Sequence, residues 1–361
     1  MSEPFDYAIV GAGIAGASLA AGLAAHGRVL LLEAEDRPGY HATGRSAAFW
    51  TESYGGPQVQ PLTTASGPFL HEHGFLNARG ALTLARQAEL PDLDHFAHEF
   101  ARLGVRIEQL GRTDLEARLP GLDQQWVAGV FEPDCCDIDV AALHQHWLAS
   151  AKQGEVELWT RARLTAAKRE EDAWLLALED GRTARSSVLI NAAGAWADDV
   201  ARTAGVQPLG IVPYRRTVAQ LRLAEGPPAD LPLVLGIDGS FYFKPEAGRL
   251  WLSPHDETRS PPCDAAPEEL DVAIAIDRFE QVVDWQIEKI EHKWAGLRSF
   301  APDRLPVIGF DPNQPDFFWF AGQGGFGIQT APAAADLACA LLVGGKAPAV
   351  NPAPYGPERF F

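Results

Sequence analysis

Positive charge is scarce in this chain: 30 lysines and arginines stand against 48 aspartates and glutamates in 361 residues, a formal charge of −18. So acidic a surface repels phosphate backbones and anionic headgroups alike, and nucleic acid is not an expected partner. Cysteine is scarce too. Cys135, Cys136, Cys263 and Cys339 have neither the CxxC spacing of a redox or zinc site nor the density of a disulfide scaffold. They are expected to be free thiols, with one member of the adjacent pair buried and the other exposed, and no metal site is expected. No apolar run approaches the roughly 18 residues of a membrane span. Met1-Ser2-Glu3-Pro4 lacks the basic region of a signal peptide and leads straight into an apolar run. A soluble cytoplasmic protein without an integral membrane segment is expected, with peripheral contact at the inner membrane face left open. Neither repeats nor disordered tracts are found, apart from a tail after Gly344 that is expected to be loose.

The sequence is rich instead in glycine at its start. Tyr7-Ala8-Ile9-Val10 breaks into Gly11-Ala12-Gly13-Ile14-Ala15-Gly16, and Glu33 closes a second apolar run, Val29 to Leu32. This is the pattern of a dinucleotide-binding βαβ unit. Gly11 permits the tight turn, Gly13 lets the backbone approach a pyrophosphate, and Gly16 lets the helix pack on the sheet. Glu33 stands where a carboxylate meets a ribose hydroxyl, and an acidic residue there disfavours a 2′-phosphate.

Beyond this unit the length suits two domains of about 100 to 200 residues each. A polar stretch from Pro38 to Gly56 precedes a region, about Leu62 to Leu148, read as helical and inserted. Short alternating runs follow, with Asp180-Gly181 as a turn, and Ser187 to Gly194 reads as a buried parallel strand ending in small residues that let backbone pass close to a ligand. From Ile211 to Leu252 the aromatic alternation predicts antiparallel strands turned by Asp238-Gly239 and Ala247-Gly248. A helix is predicted from about Pro267 to Glu291, with Leu270, Ile274, Val282, Ile287 and Ile290 on its apolar side. Finally, Phe317 to Phe320 enters the glycine-rich turn of Gln323-Gly324-Gly325-Phe326-Gly327 and a last helix.

In this order the pieces resemble the FAD-dependent oxidoreductases of the D-amino acid oxidase and glycine oxidase superfamily. The segments Gly39 to Ala48, Tyr54 to Val59, Asn191 to Trp196, Ser240 to Pro245, Trp294 to Phe300 and Gln323 to Thr330 resemble the D-arginine dehydrogenases especially. The resemblance implies an α/β fold, α+β overall: a Rossmann-like FAD domain built from 1–80, 145–210 and 295–361, and a substrate domain on an antiparallel sheet from 81–144 and 211–294. FAD, held non-covalently in preference to a covalent link at His41, would lie between them. Gly11, Gly13, Ile14, Ala15, Gly16, Glu33 and Ala34 would be cofactor-binding, with Gly13 at the pyrophosphate and Glu33 at the ribose. His41, Thr43, Gly44, Arg45, Ser46, Ala47 and Ala48 would pass near the flavin and pyrophosphate, with Leu164, Ala193, Gly194 and Trp196 beside them. Gly296, Arg298, Gly324, Gly325, Gly327, Ile328 and Gln329 would border the flavin ring.

The same resemblance implies the chemistry. An amine is oxidised when the α-hydrogen passes as hydride to flavin N5, and the imino acid then hydrolyses to the 2-oxo acid. Such a reaction needs an anchor for the substrate carboxylate, and arginine, whose planar fork gives two parallel hydrogen bonds, is suited to it. Arg216 and Arg298 match family positions, while Arg215 would face the other side of its strand. Tyr54 and Tyr242 match tyrosines that close the pocket, Tyr54 on a mobile lid hinged at Gly55 and Gly56. Phe49, Trp50, Ala81 and Gly325 are placed in the substrate pocket. Phe49 and Ala81 stand where D-arginine dehydrogenases carry a histidine and a carboxylate. A buried cation left without its partner costs several kcal/mol, so an apolar or aromatic D-amino acid is expected, with Glu52 the residue able to rescue a cationic one. The expected electron acceptor is a quinone or dye in preference to O2, and the expected assembly a monomer or weak homodimer. An oxidase of glycine, sarcosine or D-amino acids, a 2-hydroxy acid oxidoreductase, and a non-catalytic flavoprotein subunit remain alternatives.

Overall fold

The computed structural model of the protein describes residues 3–344 and 349–361. Phe5–Val10 lies inside an eight-stranded sheet, parallel to Val29–Leu32 on one side and to the end of Thr183–Asn191 on the other. Glu157–Trp159 extends one edge, and Phe317–Ala321 with Val307–Phe310 extends the other. Side chains alternate across this sheet, as the period of a strand requires. Ile9, Phe318 and Phe320 pack with the helices Ile14–Leu23 and Gly327–Val343, whereas Ala8, Val10, Phe317 and Trp319 pack on the opposite face with Trp174 and the helix Ala197–Thr203. Burial of both faces explains why these strands read as unbroken apolar runs.

A second, nine-stranded sheet is mostly antiparallel. Its longest pairing runs between Val212–Leu223 and Ile287–Phe300. Ala247 and Gly248 both have left-handed backbone, φ +48 and +75, so the two-residue turn between Tyr242–Glu246 and Arg249–Ser253 is of the kind that matches strand twist. Phe243, Leu250 and Leu252 bury against Phe279 of the helix Glu269–Glu280. A small three-stranded sheet joins Phe49–Trp50, Cys136–Ile138 and Leu76–Ala78.

The region 62–148 is not uniformly helical: helices Gln60–Glu72, Leu90–Arg102, Arg112–Arg118 and Val140–Gln153 alternate with five short strands, three of which (Ala81–Arg86, Glu108–Gly111 and Trp126–Glu132) belong to the second sheet. The helix predicted to Glu291 stops at Glu280. Ile287 and Ile290 lie at the start of the long strand instead, where Ile287 packs against the core of the second sheet and Ile290 is exposed, so their spacing marked no helical face. That strand runs without a break across the expected domain division at 294/295. Cys135 and Cys136 are both buried, because Cys136 starts a strand of the small inner sheet; all four cysteines are free. Residues 345–348 of the expected loose tail lie outside the described residues. The rest of the tail is docked: Tyr355 is buried and its hydroxyl donates to the Gln58 carbonyl at 2.7 Å, and Arg359 donates to Asp303 and to the Leu305 and Pro306 carbonyls. Among the described residues no helix is long and apolar enough to cross a membrane.

Candidate active site

A cavity of about 450 Å³ runs from the Gly11 turn, between the sheets, to Tyr54 and Tyr242. Its inner end is made by backbone. Gly11 has φ +104, and a Cβ there would lie 2.5 Å from the Ala192 carbonyl oxygen, so the turn and the end of Thr183–Asn191 can adjoin only through glycine. The helix Ile14–Leu23 points its N-terminus at the cavity, an arrangement that favours an anionic ligand. Glu33 is buried at its rim. Its Oε2 accepts the Ala12 N–H at 3.2 Å and its Oε1 the Glu35 N–H at 3.0 Å. Burial raises its pKa, and these two N–H groups partly offset that. Thr43 Oγ1 accepts the Ile14 N–H at 3.0 Å, tying the 39–48 segment to the helix start.

The expected cofactor residues are largely brought together. Gly13, Ile14, Ala15, Ala34, His41, Arg45, Ser46, Ala47, Ala48, Leu164, Ala193, Gly194, Trp196, Gly296, Gly324, Gly325, Gly327, Ile328 and Gln329 all line the cavity. Gly16 and Gly44 do not: each is a packing glycine whose Cβ would meet a carbonyl oxygen, of Gly11 at 1.8 Å and of Gly39 at 2.7 Å. Arg45 turns its guanidinium to Asp264 and to the Ala265 and Ala295 carbonyls. Four lining residues, His41, Arg298, Ser299 and Gln323, hold a buried polar atom with no partner among the described residues: Nδ1, Nε, Oγ and Nε2 respectively. Unmet hydrogen-bonding capacity along a cradle of glycines and a ribose-ready carboxylate fits a bound FAD.

The outer end of the cavity is built by the second sheet. Strand alternation turns Arg216 inward, 6% exposed, while Arg215 faces away to Asp271 and Glu268. Arg216 Nε donates to the Asp256 carbonyl at 3.0 Å, and Arg298 Nη1 to the Tyr54 hydroxyl at 3.3 Å. Burial, then the nearby Arg298, lowers the Arg216 pKa. Burial alone would raise the Tyr54 pKa, but Arg298 and Arg216 more than offset it and hold it below the usual phenol range. Phe49 meets the Tyr54 ring edge-on at 5.3 Å and the Tyr242 ring at 6.1 Å, closing an aromatic wall.

Trp50 and Ala81 stand elsewhere than expected. Trp50 neighbours Phe49 on a strand and so faces the other way, its Nε1–H donating to the Thr63 carbonyl at 2.9 Å. Ala81 packs in the apolar cluster behind Phe49 and Tyr242. Glu52 turns outward to Thr64 and lines no part of the cavity. The Tyr54 segment is pinned at the end preceding its glycines: buried Glu132 accepts from Thr51 Oγ1 at 2.6 Å, Ser53 Oγ at 2.5 Å and the Glu52 N–H at 2.7 Å, and Gln329 Nε2 donates to the Tyr54 carbonyl at 3.1 Å.

Sequence reasoning passed over His255, Asp256, Glu257 and Glu132. His255 has a left-handed backbone, φ +55, and its Nδ1 lies 2.6 Å from the Gly239 carbonyl. Burial, then Arg216 and Arg298, depresses its pKa to about 3, so the ring is neutral; Nδ1 carries the proton toward Gly239 and Nε2 is a buried acceptor without a partner. Asp256 accepts the Thr217 N–H at 2.7 Å, and Glu257 meets Arg298 at 2.7 Å and Arg304 at 2.8 Å. All three lie on a loop without periodicity, and the only available signal is the density of polar residues in His255-Asp256-Glu257.

Comparison with known proteins gives a consistent picture. Residues 6–341 match the family model described as DAO, FAD dependent oxidoreductase. A glycine oxidase of Pseudomonas aeruginosa is 27% identical over 374 residues, covering 97% of each chain. A protein of Bos taurus called FAD-dependent oxidoreductase domain-containing protein 1 is 22% identical over 99% of this chain and 85% of its own. Among solved structures, glycine oxidase from Geobacillus kaustophilus superposes with a TM-score of 0.86 at 22% identity, covering 98% of both chains. L-proline dehydrogenase from P. horikoshii does so with 0.87 at 21% identity, over 100% of this chain and 98% of that one.

Proposed function

The chain belongs to the DAO family of FAD-dependent oxidoreductases, and from that premise we propose that it oxidises a D-amino acid with an apolar or aromatic side chain to the imino acid, which water converts to the 2-oxo acid. Bound FAD supplies the two-electron acceptor for the α-hydrogen. The chain's own residues supply position. The observation that carries the reading is the convergence of Arg216, Arg298 and the Tyr54 hydroxyl at one end of the cavity whose other end holds the Gly11 turn and Glu33. A substrate carboxylate received there is oriented by two permanently charged guanidiniums, which leaves Cα facing the cavity interior. Phe49, Tyr54 and Tyr242 cover it and exclude water. The ammonium group must lose a proton before the electron pair on nitrogen can assist the oxidation, and solvent suffices as its acceptor.

The apolar specificity is supported by the aromatic wall and by the outward turn of Glu52. The D configuration rests on the motif resemblance alone. Electrons would pass to a quinone or dye; an O2-using glycine-type oxidase is the second reading, favoured by the match along nearly the whole glycine oxidase chain. Turnover with a dye should rank D-Phe, D-Leu and D-Met above D-Arg, and a preference for D-Arg overturns the apolar pocket. Peroxide formed in air in step with turnover establishes the oxidase instead.

A further inference from the structure

The carboxylate end of the cavity holds more cation than its own carboxylates neutralise. Arg216, Arg298 and Arg304 gather there against Asp256 and Glu257. Asp256 is committed internally, its two oxygens accepting the Thr217 N–H and hydroxyl at 2.7 and 3.1 Å. Glu257 stands on the outer side of Arg298, lining not this cavity but a neighbouring chamber. Its Oε1 accepts from Arg298 Nη2 at 2.7 Å and from Arg304 Nη2 at 2.8 Å, and lies 3.8 Å from Arg216 Nη2. One oxygen atom therefore serves all three guanidiniums. Burial would raise the Glu257 pKa, but Arg298 and Arg304 more than offset it and keep the carboxylate ionised at neutral pH.

A second chamber of about 400 Å³ lies on the outer side of Tyr54 and Arg298 and is also lined by Glu257, Arg304, Phe300 and Phe326. Tyr54 and Arg298, hydrogen-bonded to each other, line both chambers, so a ligand group reaching past them would enter the outer one beside Glu257. The other acid there, Asp303, is already paired with Arg359 at 2.7 Å, and His255 is neutral. Arg215 also lies 4.0 Å from Asp256 but is neutralised by Glu268 and Asp271, so the remaining three guanidiniums against Asp256 and Glu257 leave one positive charge, enough for a single substrate carboxylate.

We propose that Glu257 is a specificity-determining residue: by occupying Arg304 and the outer edge of Arg298 it makes the site accept a monocarboxylate and reject a substrate with a second carboxylate. The inference rests on the reading of Arg216 and Arg298 as carboxylate anchors. With Glu257 ionised, a second anionic group meets a like charge and finds Arg304 already paired, an arrangement that discriminates by repulsion as much as by attraction. Removing the charge of Glu257 leaves two cations for a dicarboxylate.

The test uses two inert ligands, benzoate and isophthalate, titrated calorimetrically into the FAD-loaded protein, so that no turnover is required. Wild type should bind benzoate at least about tenfold more tightly than isophthalate, and Glu257→Gln, which keeps the shape, should shift that ratio toward isophthalate by about tenfold or more. Arg304→Gln moves the charge the other way and should weaken benzoate by about threefold or more, and isophthalate further. A ratio unchanged within about twofold in Glu257→Gln, or isophthalate preferred by wild type, overturns the inference while benzoate binding upholds the anchors. Failure of wild type to bind benzoate overturns the anchors themselves, and the inference with them.

Discussion

Glu132 gives a prediction whose size can be worked from the structure. It ends the strand Trp126–Glu132, is 3% exposed, and has no cationic partner among the described residues, yet it receives hydrogen bonds from Thr51, Ser53 and the Glu52 N–H. In Glu132→Ala all three donors lose their acceptor. The two hydroxyls, 3.3 Å apart, can satisfy one of themselves by pairing, which leaves one hydroxyl and one backbone N–H unmet. At about 1–3 kcal/mol for each unsatisfied buried donor, the loss is roughly 2–6 kcal/mol. Relief of the desolvation cost that raises the Glu132 pKa brings this to the lower part of that range, about 2–4 kcal/mol. An unfolding entropy of about 2.1 cal/mol/K per residue over 361 residues amounts to about 0.76 kcal/mol/K, so Tm should fall by about 3–5 °C. Because Tyr54 directly follows the pinned residues, benzoate affinity should fall in parallel, by about tenfold. Thermal unfolding of FAD-saturated protein, with Glu132→Gln as the variant that keeps shape and one acceptor, provides the assay. A Glu132→Ala protein with the wild-type Tm and wild-type benzoate affinity refutes the claim that this carboxylate holds the Tyr54 segment.

Gly11→Ala forces a side chain onto left-handed backbone and within 2.5 Å of the Ala192 oxygen, so the purified variant should emerge from gel filtration largely without FAD; full retention contradicts the cradle. Gly325→Ala places a methyl group 2.7 Å from the Tyr54 hydroxyl and 3.0 Å from Arg298 Nη1, and should weaken benzoate binding by about tenfold, read by titration; unchanged affinity would show that these groups do not hold a carboxylate. His255 binds a proton below about pH 6.5 when unfolded but only near 3 when folded, so it removes stability as pH falls from 6.5 toward 3. His255→Asn, which tolerates the left-handed backbone, should therefore flatten the dependence of Tm on pH across that window, and an unaltered slope would mean that His255 is not held neutral.

What could be read from the sequence was what local chemistry encodes. The Gly11 turn is legible because only glycine meets its backbone demand, and Glu33 because its distance from that turn is set by one helix and one strand. Arg216 could be told from Arg215 by strand alternation, the same rule that sets Trp50 apart from Phe49. His255 and Glu257 were not legible, since a loop without periodicity brings them to Arg216, Arg298 and Arg304 through tertiary contacts alone. Glu132 lies in a stretch whose sequence reads as helical, and it shows its role only when Thr51 and Ser53, some eighty residues earlier, fold onto the end of its strand. The helix expected through Ile287 and Ile290 failed for the converse reason: the spacing of a few apolar residues looked helical, while pairing with Val212–Leu223 decided the conformation.

An amino acid carboxylate held by Arg216 and Arg298 should place Cα against bound FAD. The check is to mix the FAD-loaded protein anaerobically with D-phenylalanine, with L-phenylalanine and with the corresponding 2-hydroxy acid, because the flavin absorbance reports reduction without any acceptor. D-Phenylalanine should bleach the flavin rapidly and the other two not at all; bleaching by the hydroxy acid while both amino acids leave the flavin oxidised would mean that the site does not oxidise amino acids.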